Sequence, residues 1–272
     1  MTNTSPQSPI RLRQTALITG ASIGIGYELA KIFAADQYDL VLVARNDERL
    51  NAVKNELEAR HGISAGVLVA DLAEPTAPAA IYDRLRREGV QVDVLVNNAG
   101  FGQYGEFHRG DLQRYLDMVQ VNVTALVHLT GLFLPGMVAR RKGRVLNVAS
   151  TAGFQPGPLM AVYYATKAMV VSFSNAIHAE LAGTGVTVTT LCPGPTRTEF
   201  HVRAETGRSR LFRGPMMMKA DAVARAGYNG MQRGKMVVIP GAVNNVLMFG
   251  ATRLLPRALV TKMVGVLQRH ER

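Results

Sequence analysis

What most constrains this chain is an alternation. Short, uninterrupted apolar runs are separated by stretches of helical period, from one end to the other. Residues 14–19 (QTALIT), 38–45 (YDLVLVAR), 63–72 (ISAGVLVADL), 92–100 (VDVLVNNAG), 143–150 (GRVLNVAS), 185–194 (GVTVTTLCPG) and 235–241 (KMVVIPG) read as strands. Helical patterns fill 24–35, 46–61, 76–88, 162–182 and 219–233, with two helical stretches over 111–140. The strands are rich in Val, Leu and Ile and do not alternate with polar residues, which is the signature of a parallel sheet covered on both faces. Repeated βα units with right-handed crossovers make a doubly wound α/β sheet.

At 272 residues and 47% hydrophobic content, one domain with a large core is the expectation. Residues 1–13 are polar and proline-containing and read as a disordered lead-in. The α/β domain is expected over 14–241, with 196–218 as a mobile substrate lid, because RAETGRSRLFRGPMMMK shows little regular pattern. Residues 242–272 read as a basic, amphipathic helical extension.

The net charge of +11 invites nucleic acid, anionic membrane or anionic small ligands as partners. No zinc-ligand spacing, aromatic-interleaved basic run or helix-turn-helix signal accompanies it, so nucleic acid is not an expected partner. No metal site is expected, and Glu28 and Asp117 read as surface charges. The single cysteine, Cys192, cannot form an intrachain disulfide and lies in an apolar run, where an inert buried thiol is expected. No run has the length and purity of a membrane-spanning helix. A cytoplasmic protein is expected, with the basic C-terminal segment open to peripheral membrane contact.

In an open α/β sheet, ligands bind beyond the carboxyl ends of the strands. After the first strand comes TGASIGIG, with Gly20, Gly24 and Gly26 between strand and helix. Glycine lets the backbone approach a ligand, and the helix N-terminus offers free N–H groups to a pyrophosphate. After the second strand stands Arg45, with no acid at the strand tip. An arginine there suits a 2′-phosphate, a contact worth about 1.5–3 kcal/mol, and so favours NADP(H) over NAD(H). Asp71 after the third strand is placed to accept from an adenine amino group, with Leu72 against the ring, or else to cap the next turn. Asn97 and Asn98 shape the turn after the fourth strand, and Ser150 ends the fifth. The sixth runs into Pro193-Gly194-Pro195-Thr196-Arg197-Thr198. On the long helix, Tyr163 and Lys167 are four apart and share a face.

TGASIGIG, NNAG, Asn122 in VQVNVTA, Ser150, the Tyr163-x-x-x-Lys167 pair and PGPTRT stand in the order and spacing of the short-chain dehydrogenase/reductase superfamily, which the sequence resembles over residues 14–241. The resemblance implies a Rossmann-type sheet of about seven parallel strands. It implies hydride exchange between NADP(H) and a carbonyl or secondary alcohol, with reduction as the expected direction. In that reading Tyr163 is the general acid/base, Ser150 holds the substrate oxygen, Lys167 binds the nicotinamide ribose, and Asn122 supports Lys167 through a bound water. Gly20, Ser22, Gly24, Ile25, Gly26, Arg45, Asp71, Leu72, Asn98, Ala99 and Gly100 would lie along the cofactor. Pro193, Gly194, Thr196 and Thr198 would enclose its nicotinamide. Tyr164 and Thr151 are local rivals of Tyr163 and Ser150, and the family spacing prefers the first of each pair. A Lys ammonium beside the phenol is expected to lower its pKa. The resemblance also implies a homodimer or homotetramer through the helices that carry Asn122 and Tyr163. The lid and C-terminal segments suggest an apolar ketone, aldehyde or acyl-type substrate. The alternative is a cofactor-binding sensor or scaffold without significant turnover.

Overall fold

The computed structural model describes residues 13–199, 217–241 and 255–268. The lead-in over 1–12 and most of the expected lid, 200–216, lie outside the described residues, as do 242–254 and 269–272. The chain runs β1 (Thr15–Thr19), α1 (Gly24–Ala35), β2 (Asp39–Ala44), α2 (Asp47–His61), β3 (Ala65–Val69), α3 (Ala77–Arg87) and β4 (Val94–Asn97). It continues with α4 (Leu112–Val119), α5 (Ala125–Ala139), β5 (Gly143–Val148), α6 (Ala161–Glu180) and β6 (Val186–Leu191). Then follow β7 (Thr196–Arg197), β8 (Met218–Lys219), α7 (Ala220–Gln232), β9 (Val237–Val238) and α8 (Arg257–Gln268).

Seven strands form one parallel sheet in the order β3-β2-β1-β4-β5-β6-β9. The reason the strands read as unbroken apolar runs is visible residue by residue. Ala16, Ile18, Leu40 and Leu42 enter one core layer with Leu29, Phe33 and Met231. Their neighbours Leu17, Val41 and Val43 enter the opposite layer with Leu129, Phe133 and Met137. The edge strands depart from this: in β3 Val69 is 55% exposed, and in β9 Val237 and Val238 are only half-buried. The strand order reverses between β1 and β4, so their carboxyl ends open a crevice at the switch point.

Local signals set most helix limits. The Asn46 side chain accepts from Arg49 N at 2.7 Å and caps α2, and Gly62 ends that helix at φ +63°. Asp111 caps α4 in the same manner as Asn46 caps α2. The two stretches expected over 111–140 are not separate helices. A π turn over Gln120–Thr124 joins α4 to α5. The continuous helix Leu112–Ala139 is thereby 28 residues long with mean hydropathy 1.6, long and apolar enough to cross a membrane by those two criteria, contrary to the sequence expectation. Here its residues Leu129, Phe133 and Met137 are packed into the sheet core. The last strand, expected over 235–241, is reduced to Val237–Val238. At the base of the expected lid, β7 and β8 pair in parallel, Thr196 with Met218 and Arg197 with Lys219. From the C-terminal extension, α8 buries Val260 and Val264 against Ala152, Met160 and Tyr164.

Candidate active site

The glycine turn is built for close approach. Gly20 and Gly24 have φ of +66° and +59°. A Cβ on Gly26 would stand 2.2 Å from Gly20 O, so no other residue fits there without moving backbone. Ile23 precedes α1 in extended conformation and no side chain caps the helix. Its first N–H groups therefore remain for a ligand. Asn98 holds the turn in place: its Nδ2 donates to Thr19 O at 2.9 Å and Gly20 O at 3.2 Å. Thr19 Oγ1 accepts from the N–H groups of Asn98 and Ala99, both at 3.0 Å. These bonds tie the ends of β1 and β4 across the crevice.

The crevice is a cavity of about 890 Å³. Ser22, Gly24, Ile25, Arg45, Asp71, Leu72 and Gly100 line its first half. Arg45 Nη1 stands 3.5 Å from Asp71 Oδ2 in an exposed pair, which adds little to stability. Asp71 Oδ1 accepts from Ala73 N at 3.0 Å, so the aspartate does cap its own turn while facing the cavity.

Ser150, Tyr163 and Lys167 line the second half. The Ser150 hydroxyl stands beside the Tyr163 phenol and acts to lower its pKa. Ser150 Oγ also accepts from Ala152 N at 3.1 Å and donates to Pro193 O at 3.3 Å, which sets its rotamer. Lys167 is 5% exposed; its Nζ donates to Val148 O at 2.8 Å and lies 5.8 Å from the centre of the Tyr163 ring. Burial pushes the lysine down to about 8. Burial also drives the Tyr163 phenol above its ordinary value, opposed by the Ser150 hydroxyl. The expected lowering of the phenol by Lys167 is therefore not what the structure shows. Lys167 is buried and Tyr163 partly so, and loss of hydration disfavours the charged form of each.

Asn122 sits in the π turn with its amide fully directed elsewhere than Lys167. Nδ2 donates to Phe101 O at 2.9 Å and Thr166 Oγ1 at 3.1 Å, while Oδ1 accepts from Phe101 N at 3.0 Å. Gly100 lies close to both side chains: a Cβ there would stand 3.0 Å from Asn122 Oδ1 and 3.4 Å from Lys167 Nζ. Pro193, Gly194, Thr196 and Thr198 line the cavity after β6. The Thr198 methyl would stand 3.1 Å from a Cβ on Gly24. Thr196 Oγ1 donates to Gly194 O at 2.9 Å.

The rivals Tyr164 and Thr151 also line the cavity, with contacts of their own. Tyr164 is buried under α8 and hydrogen-bonded to Gln268, and burial pushes its phenol up to about 12. Thr151 donates its N–H to Pro193 O at 2.9 Å. Cys192 is buried and pushed up to about 12 by burial, as an inert thiol should be. Among the described residues no cluster of metal-ligating side chains occurs. Glu28 pairs with Lys31 at 3.1 Å on the surface, but Asp117 corrects the sequence reading: it lines the cavity and accepts from Gln113 Nε2 at 2.8 Å. Sequence reasoning missed Phe101, Arg114, Val121, Gln155 and Met160, which complete the second half of the cavity. The Arg114 guanidinium lies 5.6 Å from the centre of the Phe101 ring. Phe101 follows NNAG directly and was within reach of the motif; the others are joined only by folding.

The short chain dehydrogenase family pattern matches residues 14–208. A very-long-chain 3-oxoacyl-CoA reductase of Anas platyrhynchos is 39% identical over 184 residues, covering 65% of this chain and 58% of the relative. The chain thus spans well under two thirds of that relative's length. Among solved structures, a short-chain dehydrogenase from Sphingobium yanoikuyae in complex with NADPH is 34% identical, with a TM-score of 0.77 over 89% of this chain and 98% of that one. A bulky-bulky ketone specific alcohol dehydrogenase from Comamonas testosteroni is 30% identical, with a TM-score of 0.74 over 89% and 96%.

Proposed function

The chain belongs to the short-chain dehydrogenase family, and from that membership we propose that it is an NADP(H)-dependent oxidoreductase that reduces an apolar ketone, aldehyde or acyl-type carbonyl to the alcohol. The observation that carries this reading is the joining of two features in one cavity: the Cβ-free glycine cradle and the grouping of Ser150, Tyr163 and Lys167. The residues fit the cofactor. Gly20, Gly24 and Gly26 leave room for a pyrophosphate at the uncapped start of α1. Arg45, exposed and held only weakly by Asp71, offers a guanidinium to a 2′-phosphate.

A bound nicotinamide supplies the hydride. The protein supplies the proton and the geometry. Ser150 hydrogen-bonds the substrate oxygen, and Tyr163 Oη gives its proton to that oxygen as negative charge develops there. The raised pKa of the phenol keeps the proton in place until then. Lys167 binds the ribose hydroxyls and stabilises the phenolate that is left. Asn122 fixes the Phe101 backbone, next to Gly100, which passes close to the ammonium. The presence of this whole set speaks for turnover over a sensor or scaffold role. Phe101, Val121, Met160 and Tyr164 make the wall opposite the cofactor largely apolar, and the acyl-CoA relative points the same way.

Two further parts of the reading rest on surfaces. Leu112, Leu116 and Val119 on the α4–α5 helix and Met169 on α6 are exposed apolar side chains, which supports a homodimer or homotetramer across these helices. On α8, Leu259, Met263 and Val266 are exposed beside Arg257 and Lys262, with no acid in the helix. That supports a cytoplasmic protein resting peripherally on an anionic membrane; sedimentation with anionic vesicles at low salt checks it.

The decisive experiment is a fluorescence titration with NADPH and with NADH at one ionic strength, followed by a carbonyl screen with Tyr163→Phe as the inactive control. Tight NADPH binding and reduction of long-chain ketones in preference to polar sugars are expected. Binding of neither nucleotide overturns the reading.

A further inference from the structure

Gln268, the last residue of α8, is 1% exposed. A glutamine is rarely buried so completely, because its amide must find partners and its long side chain loses rotamer freedom. Its Nε2 donates to the Tyr164 hydroxyl, and its backbone carbonyl accepts from Tyr104 Oη at 2.9 Å. The end of α8 is therefore wedged between the loop after β4 and the first turn of α6. Neither role is explained by cofactor or substrate, since Gln268 does not line the cavity.

What the wedge holds is a strained turn. Leu159 has φ +66°, a left-handed conformation unfavourable for a branched side chain. Such residues persist where the surroundings over-determine them. Leu159 O accepts from Gly105 N at 2.8 Å, next to Tyr104. The Tyr164 ring lies on Gly157, where a Cβ would stand 2.3 Å from Cγ, and Gly265 of α8 rests on Pro158. Val260 and Val264 close the cluster over Met160 and Tyr164. This turn leads straight into α6, whose start has no side-chain cap of its own. Tyr163 is in its first turn, with its ring 6.1 Å from that of Tyr164.

We propose that Gln268 is a positioning residue for Tyr163: through the Tyr164 hydroxyl it holds the start of α6 so that the Tyr163 phenol meets Ser150. The inference rests on the assignment of Tyr163 as the proton donor. A small misplacement of a reacting group is costly to rate, on the order of 100-fold for about 1 Å. Nothing in this mechanism touches the nucleotide cradle some distance away across the cavity.

The test uses the full chain with NADPH and a long-chain methyl ketone taken from the screen. Gln268→Leu is expected to lower kcat by about 10- to 100-fold, with the Kd for NADPH unchanged. Tyr164→Phe, which removes only a hydroxyl, should lower it as much, and the double variant no further, because both break one bond. Amide exchange at residues 159–164 should quicken in both variants while the sheet amides stay protected. Full kcat in Tyr164→Phe, or losses that multiply in the double variant, overturns the proposal even if Gln268→Leu fails to fold. A dead Tyr163→Phe beside a fully active Gln268→Leu overturns this inference alone. An active Tyr163→Phe overturns the assignment of Tyr163, and the inference with it.

Discussion

The two halves of the cavity are held by different means. The cofactor half is a backbone construction. Gly20, Gly24 and Gly26 make room, Asn98 and Thr19 stitch two neighbouring strands, and the charged groups Arg45 and Asp71 stay in water. The catalytic half is a side-chain construction. Its ammonium is buried and its phenol partly so, each pushed toward its neutral form, and its walls come from β5, α6, the loop after β4 and, behind them, α8. A binding surface can be assembled from local turns. A site that must hold a proton where water is excluded needs the whole fold around it.

That contrast can be broken from either side. The largest effect belongs to Tyr163→Phe, which should cost about 100- to 10,000-fold in kcat while leaving NADPH titration unaltered; a matching loss of binding would erase the division between the halves. Gly26→Ala strikes the other side. Its methyl would meet Gly20 O at 2.2 Å, so NADPH binding should fall steeply and stability by about 1–3 kcal/mol, read by titration and by urea unfolding.

Lys167 tests whether burial dominates the catalytic half. With its folded pKa lowered from 10.5 to about 8, the native state binds fewer protons than the unfolded chain between those values. The charged lysine therefore opposes folding below pH 8, and the cost disappears as pH rises toward 10.5. Lys167→Met should be more stable than the parent at pH 7, by on the order of 3 kcal/mol, and should lose that advantage on titration to pH 10.5. An advantage independent of pH would refute the origin assigned to it. The smallest effect is expected at Arg45. Arg45→Ala should narrow the preference for NADPH over NADH by about tenfold or somewhat more, with NADH affinity and thermal stability nearly untouched, as suits an exposed pair.

The same division runs through what could be read in advance. Strands and helices were legible because both faces of most strands are buried, which leaves an apolar run in the sequence; α1 and the cap at Asn46 follow from local signals alone. The glycine cradle, Arg45, Ser150 and the Tyr163–Lys167 spacing were legible for the same reason, since each sits at the end of an element. Three things were not. The π turn at Gln120–Thr124 has no pattern of its own. Asp117 looks like any surface acid until α4 is placed over the cavity. Tyr164, a rival of Tyr163 by spacing, is hydrogen-bonded to Gln268, 104 residues away.

By itself, then, the amino-acid sequence determined the doubly wound sheet, the glycine turn after β1 and the family resemblance from which the proposed catalytic side chains follow, because period, glycine placement and motif spacing are local properties. Only the tertiary structure decided the protonation bias of Tyr163 and Lys167, the apolar wall of the substrate end and the wedge of α8 against the turn before α6. Those depend on burial, and burial is set by what distant parts of the chain bring together.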